Sequence, residues 1–147
     1  MKEIDKRILD FIAEHHVMTV ACASPGGGLW CANAFYVFDD EEGEFIITSE
    51  AGTRHARMFV ENPAVTGSVV LETEEVGKIR GLQFSGTVSR CDGGLFDRCR
   101  LRYLKRFPYA VLKGGEVWRI QIDEMKYTDN RLEIGRASCR ERVYACV

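Results

Sequence analysis

Trp30-Cys-Ala-Asn-Ala-Phe-Tyr-Val-Phe-Asp39, an acidic turn, Glu44-Phe-Ile-Ile-Thr-Ser49, then Gly52-Thr-Arg-His-Ala-Arg57 running to Asn62-Pro63: this stretch reads as strand, turn, strand and short helix. The rest of the chain is organised around it. The second strand ends in two hydroxyls, Thr48 and Ser49. The helix opens with a third, Thr53, followed by the cation Arg54. A helix N-terminus offers unpaired N–H donors and partial positive charge, and arginine adds a planar fork of donors. Together these groups make a candidate phosphate seat. The bland alternative is that the hydroxyls cap a helix and Arg54 is a surface cation.

Outward from that stretch, residues 3 to 14 carry Ile4, Ile8, Phe11 and Ile12 at helical spacing, so an amphipathic helix is expected. Val17 to Ala23 is an apolar strand. Ser24-Pro-Gly-Gly-Gly28 is a hairpin turn; it lacks both phosphate-loop signatures, and a strand follows it instead of a helix. Leu29 to Phe38 is mostly apolar on both sides, which predicts a strand covered on both faces. Asn33 is its polar exception, placed either to hydrogen-bond a nearby loop or to meet a ligand's polar edge. Asp39 to Gly43 is expected to be a solvated turn. Ala64 to Glu72 and Ile79 to Ser89 follow as strands, the latter with Gly81 and Gly86 inside it, a pattern of bulges or close approaches. Gly94 to Phe107 returns to helical spacing with a basic remainder, read as a solvated surface, and Glu116 to Tyr127 is the last strand.

The order α-β-β-β-α-β-β-α-β, with short links, excludes parallel winding and predicts a mainly β fold, a small barrel flanked by helices. At 147 residues and 46% hydrophobic the chain is one domain with room for a core. A net charge of −2 without a long basic run argues against nucleic-acid binding. The charged N-terminus and the lack of any span-length apolar segment argue against a membrane and place the protein in the cytoplasm. Six cysteines show no C-x-x-C pair, so no metal site is expected, and His15-His16 read as a helix end. Residues 133–147 lose all periodicity and resemble cloning-vector read-through; a non-native or disordered tail is expected there, leaving a domain over residues 1–132.

Leu29-Trp-Cys-Ala-Asn-Ala-Phe-Tyr36, Thr53-Arg-His-Ala56, Ile79-Arg-Gly-Leu-Gln-Phe-Ser-Gly86, Arg106-Phe-Pro108 and Lys126-Tyr-Thr-Asp-Asn130 resemble the pyridoxamine 5′-phosphate oxidase-like FMN-binding split barrels, in their uncharacterised YhbP-like branch. The resemblance implies a six-stranded Greek-key split barrel, a homodimer and an FMN at each interface. It implies that Thr48 and Ser49 meet the ribityl phosphate and that Thr53, Arg54 and His55 match the Ser-Arg-Lys triplet gripping it. Asn33 then lies on the strand passing the flavin ring, and Gln83 lies near a glutamine that reaches it. Three departures stand out: His55 replaces a lysine, the strand carries no basic residue, and the Arg-x-His motif is missing after Tyr127. Oxidation of pyridoxamine phosphate itself is therefore not implied.

The functional expectation is an FMN-binding, flavin-dependent oxidoreductase of unspecified substrate, with no residue marked as catalytic. The alternative is a non-catalytic flavin, deazaflavin or haem binding or sensing module on the same barrel. An apolar dimer interface through strand residues such as Phe35 or Phe84 is expected.

Overall fold

Antiparallel pairing joins the strands in the order β3-β2-β1-β4-β5-β6-β7, and β3 also pairs with β6, so six strands close into a barrel. In chain order these are α1 (Lys6–Glu14), β1 (Val17–Ala23), β2 (Leu29–Asp39), β3 (Glu44–Ser49), α2 (Arg54–Glu61), β4 (Ala64–Val70), β5 (Arg80–Arg90), α3 (Gly93–Arg106), β6 (Glu116–Asp129) and β7 (Glu141–Cys146). Single 3-10 turns fall at Val76–Lys78, Pro108–Leu112 and Asn130–Glu133. The computed structural model describes residues 3–133 and 141–146. Of the stretch set aside as a tail, residues 134–140 and 147 lie outside the described residues, while β7 pairs with β6 from Glu124 to Asp129.

Strand alternation sends one face of each strand inward. Met18 and Val20 of β1, Tyr36 of β2, Phe45 and Ile47 of β3, Leu82 and Phe84 of β5, and Ile120 and Met125 of β6 fill the interior. Phe45 anchors it, with ring centroids 5.1 Å from Tyr36, 4.9 Å from Phe38 and 4.9 Å from Phe84. A Cβ on Gly67 would lie 2.4 Å from the Phe84 ring, so the glycine is what lets that ring fit. At Gly86, beside the register shift in β5, a Cβ would sit 2.3 Å from the Gln121 carbonyl oxygen. A small barrel packed this way has no room for a ligand inside. Phe84 faces that interior and is not available to a partner chain; Phe35 is 55% exposed.

Helices plug both barrel ends. At one, α1 buries Ile8, Phe11 and Ile12, and Tyr36 Oη donates to the Ile12 carbonyl at 2.8 Å. At the other, α2 sets Met58 against Cys22 and Phe59 against Trp118. The third helix covers the outer side of β3 and β6, with Cys99 and Tyr103 over Ile46 and Val117.

The acidic turn is not solvated as expected: Asp39 and Glu44 are fully buried. Arg98 of α3 donates to Glu44 at 3.0 Å, Arg102 lies 3.1 Å from Asp39, and Arg119 reaches Glu44 at 3.5 Å. Part of the basic face of α3 thus clasps the β2–β3 hairpin instead of facing water. Burial raises the Glu44 carboxyl above its ordinary value, outweighing the opposite pull of Arg119 and Arg98.

The expectation that β2 is covered on both faces also fails. Val37 packs under α3, but Leu29, Cys31, Asn33 and Phe35 face outward and are exposed. The outer face of β1 shares this opening at Val17, and β4 at Val70.

Candidate functional site

Where β3 runs into α2, three polar side chains gather. Ser49 shares the face of Phe45 and Ile47, which at this end of the barrel turns it toward the helix. Its Oγ lies 2.8 Å from His55 Nε2 and 3.0 Å from Thr53 Oγ1, and Thr53 Oγ1 is 3.3 Å from the same imidazole nitrogen. Thr53 is the N-cap, as its sequence position predicts: its Oγ1 accepts from the Ala56 N–H at 3.3 Å. Thr48 alternates to the opposite face of β3, pairs with Val117 and stays half-buried, so it does not join this cluster.

Arg54 is exposed, and its guanidinium carbon lies 4.2 Å from the centre of the Trp30 ring. Among the described residues no carboxylate pairs with it. Stacking on an aromatic face holds the fork in place while leaving its N–H groups free. Sequence reading missed Trp30 in this role. No local signal marked it: Trp30 lies near the turn of the β1–β2 hairpin, opposite Cys22, and only the seating of α2, whose Met58 touches Cys22, brings Arg54 over it.

Asn33 and Gln83 lie elsewhere, on the open outer face and both exposed. Asn33 Oδ1 accepts from Thr19 Oγ1 at 2.8 Å. That contact is with the adjacent strand, not a loop. Two shallow depressions, one of about 450 Å³ between α3 and Val37 of β2 and one of about 400 Å³ between α1, β2 and Arg106, involve none of these residues. Among the described residues no three His, Cys, Asp or Glu side chains group as metal ligands. No helix among them is long and apolar enough to cross a membrane.

Burial lowers the His55 pKa from its ordinary 6.5. A histidine with a lowered folded pKa binds fewer protons folded than unfolded, so the stability it contributes is present above about pH 6.5. That stability is lost as pH falls toward the folded pKa. Urea midpoints between pH 8 and pH 5 are expected to fall more for the wild type than for His55→Gln. Parallel profiles would show that His55 titrates as it does in the unfolded chain.

A family model for pyridoxamine 5′-phosphate oxidase matches residues 4–129. The UPF0306 protein YhbP of Escherichia fergusonii is 44% identical over 126 residues, 86% of this chain and 85% of its own. Among solved structures, the haem storage protein HutZ of Vibrio cholerae superposes with a TM-score of 0.70 at 20% identity, covering 82% of this chain and 91% of its own. A FAD-binding protein of Mesorhizobium loti gives 0.64 at 16% identity, covering 83% and 91%. Those two likenesses concern the fold alone. The family match spans the barrel from the first helix to the end of β6, and the chain belongs to the pyridoxamine 5′-phosphate oxidase-like split-barrel family.

Proposed function

We propose that this barrel binds FMN and works as a flavin-dependent oxidoreductase, with the ligand's phosphate at Arg54 and its ring on the open face of β2 and β1. The supporting observation is the Arg54 guanidinium, laid over Trp30 at the start of α2 with no carboxylate partner among the described residues. Around it, Thr53, Ser49 and the neutral His55 supply hydroxyl and imidazole groups, and Thr48 lies one residue away on the far side of β3. The filled interior leaves the outside of the barrel as the place for a ring. Asn33 and Gln83 are exposed there.

A bound flavin supplies hydride and electron transfer itself, so the protein's part is to hold and orient it. In this reading two copies pair across the open face, with Phe35 and Val17 against the partner, in the cytoplasm. A haem-binding module is the second reading, favoured by the likeness to HutZ.

The absorption spectrum of the purified full-length protein, alone and after addition of FMN or haemin, tests both. Flavin bands that persist through gel filtration, and bleach with NAD(P)H and return in air, are expected. An intense Soret band with no uptake of FMN would instead support the haem module. A colourless protein that takes up neither would falsify both readings.

A further inference from the structure

Two thiols lie together on the other side of the barrel wall, under α3. Cys91 is the first residue after β5, and its N–H donates to the Val117 carbonyl of β6 at 2.8 Å. Cys99 lies in the second turn of α3 and packs into the same cluster, with Ile46, Tyr103 and Val117. Cys91 is 2% exposed and Cys99 fully buried, and both are free thiols. Burial, with the Cys99 thiol in contact, pushes the Cys91 thiol up to about 12. In the closed structure Cys91 is therefore held neutral, a poor nucleophile.

The helix over the pair begins weakly. It opens Gly93-Gly94, and Gly93 has a φ of +61°, outside helical geometry. Asp92, at the N-cap position, makes no side-chain bond to the helix; its carboxylate lies 3.5 Å from Arg90 instead. A missing cap and two glycines each weaken a helix start. From Arg98 onward the same helix is held down, by Arg98 on Glu44, Arg102 on Asp39 and Arg106 on the Tyr36 carbonyl. The first turn is thus the part of α3 that opens most readily. Its opening uncovers Cys91, two residues before it, while Cys99 stays on the anchored part.

We propose that Cys91 and Cys99 are a redox-sensitive pair: hydrogen peroxide oxidises them to a disulfide when the first turn of α3 opens, fastening that turn to the end of β5. Water reaching Cys91 lets its thiol ionise. The thiolate attacks one peroxide oxygen, the O–O bond breaks, and the released hydroxide takes up the thiol's proton as the first water. Cys91 is left as a sulfenic acid. The Cys99 sulfur attacks the Cys91 sulfur, the S–O bond breaks, and the hydroxyl leaves with the Cys99 proton as the second water. Two thiols lose two electrons, and one peroxide becomes two waters.

The test treats the native full-length protein with hydrogen peroxide, blocks the remaining thiols and digests it without reductant. Trypsin cuts after Arg90, Arg98 and Arg100 and so separates the two cysteines. The disulfide is expected as a linked pair of peptides, 91–98 with 99–100, that reductant abolishes. Gly94→Ala puts a methyl where nothing lies within 4 Å, strengthens the turn, and should slow the linkage about threefold. Val20→Ala, in the barrel core and away from α3, lowers global stability and should leave the rate unchanged. In Cys99→Ser, dimedone is expected to capture Cys91 as its sulfenic acid. Linkage only in urea, or Cys91 joined to Cys31 instead, overturns the proposal. So does a rate that ignores Gly94→Ala or rises with Val20→Ala, or a Cys91 that never reacts.

Discussion

Arg106→Ala is expected to lose about 3–5 kcal/mol of folding stability, measured as a lower urea midpoint with an unchanged m-value. The side chain has no carboxylate partner among the described residues; what it holds is backbone. One guanidinium nitrogen donates to the Tyr36 carbonyl at 2.8 Å, and another to the carbonyls of His15 at 2.5 Å and Ala13 at 3.2 Å. Ala13 and His15 belong to the end of α1, where the last carbonyls have no intrahelical partner. The guanidinium is flanked by the rings of Tyr36 at 5.2 Å and Phe107 at 5.4 Å, so its bonds form in a partly dehydrated setting. Removing it strands three acceptors and detaches α1, β2 and α3 from one another at a single point. Arg106→Lys restores the charge without the fork and should recover less than half of the loss. A loss below about 1 kcal/mol for Arg106→Ala would show that water satisfies these carbonyls equally well.

This residue marks where the sequence stopped being legible. Periodicity located the six barrel strands to within one or two residues, because alternation and turn glycines are local signals: β1 and β3 begin and end where the pattern does, whereas β7 falls in the stretch set aside as a tail. The N-cap role of Thr53 was equally local. The basic face of α3 could not be read the same way. Arg98, Arg102 and Arg106 look like a solvated helix until the fold brings Asp39, Glu44 and the end of α1 beneath them, contacts 54 to 93 residues away in sequence. The same limit applied to the candidate site. Ser49, Thr53 and His55 lie within seven residues and came together as a local reading suggests, whereas Thr48 went to the other face by strand alternation. That Trp30 lies beneath Arg54 depended on how α2 seats against the β1–β2 hairpin, which no local pattern encodes.

Arg54→Ala is expected to weaken FMN binding roughly 100-fold, from the loss of a charge-assisted bidentate contact of about 2–3 kcal/mol. The hydroxyls nearby cannot replace it. Ser49 and Thr53 are already engaged with each other and with His55, and Thr53 also accepts from the Ala56 N–H, so little of their donor capacity is free for an anion. His55 adds no charge at neutral pH, because burial keeps its imidazole unprotonated. Arg54 is then the main cation at the seat, and its removal leaves only the weak field of one short helix. The converse substitution follows from the same reasoning: His55→Lys adds a permanent charge beside Ser49 and should tighten FMN several-fold and ribose 5-phosphate by a similar factor. Fluorescence titration of FMN against the three proteins reads both effects. Equal affinity for wild type and Arg54→Ala would mean that the guanidinium over Trp30 is a surface stack with no ligand to hold.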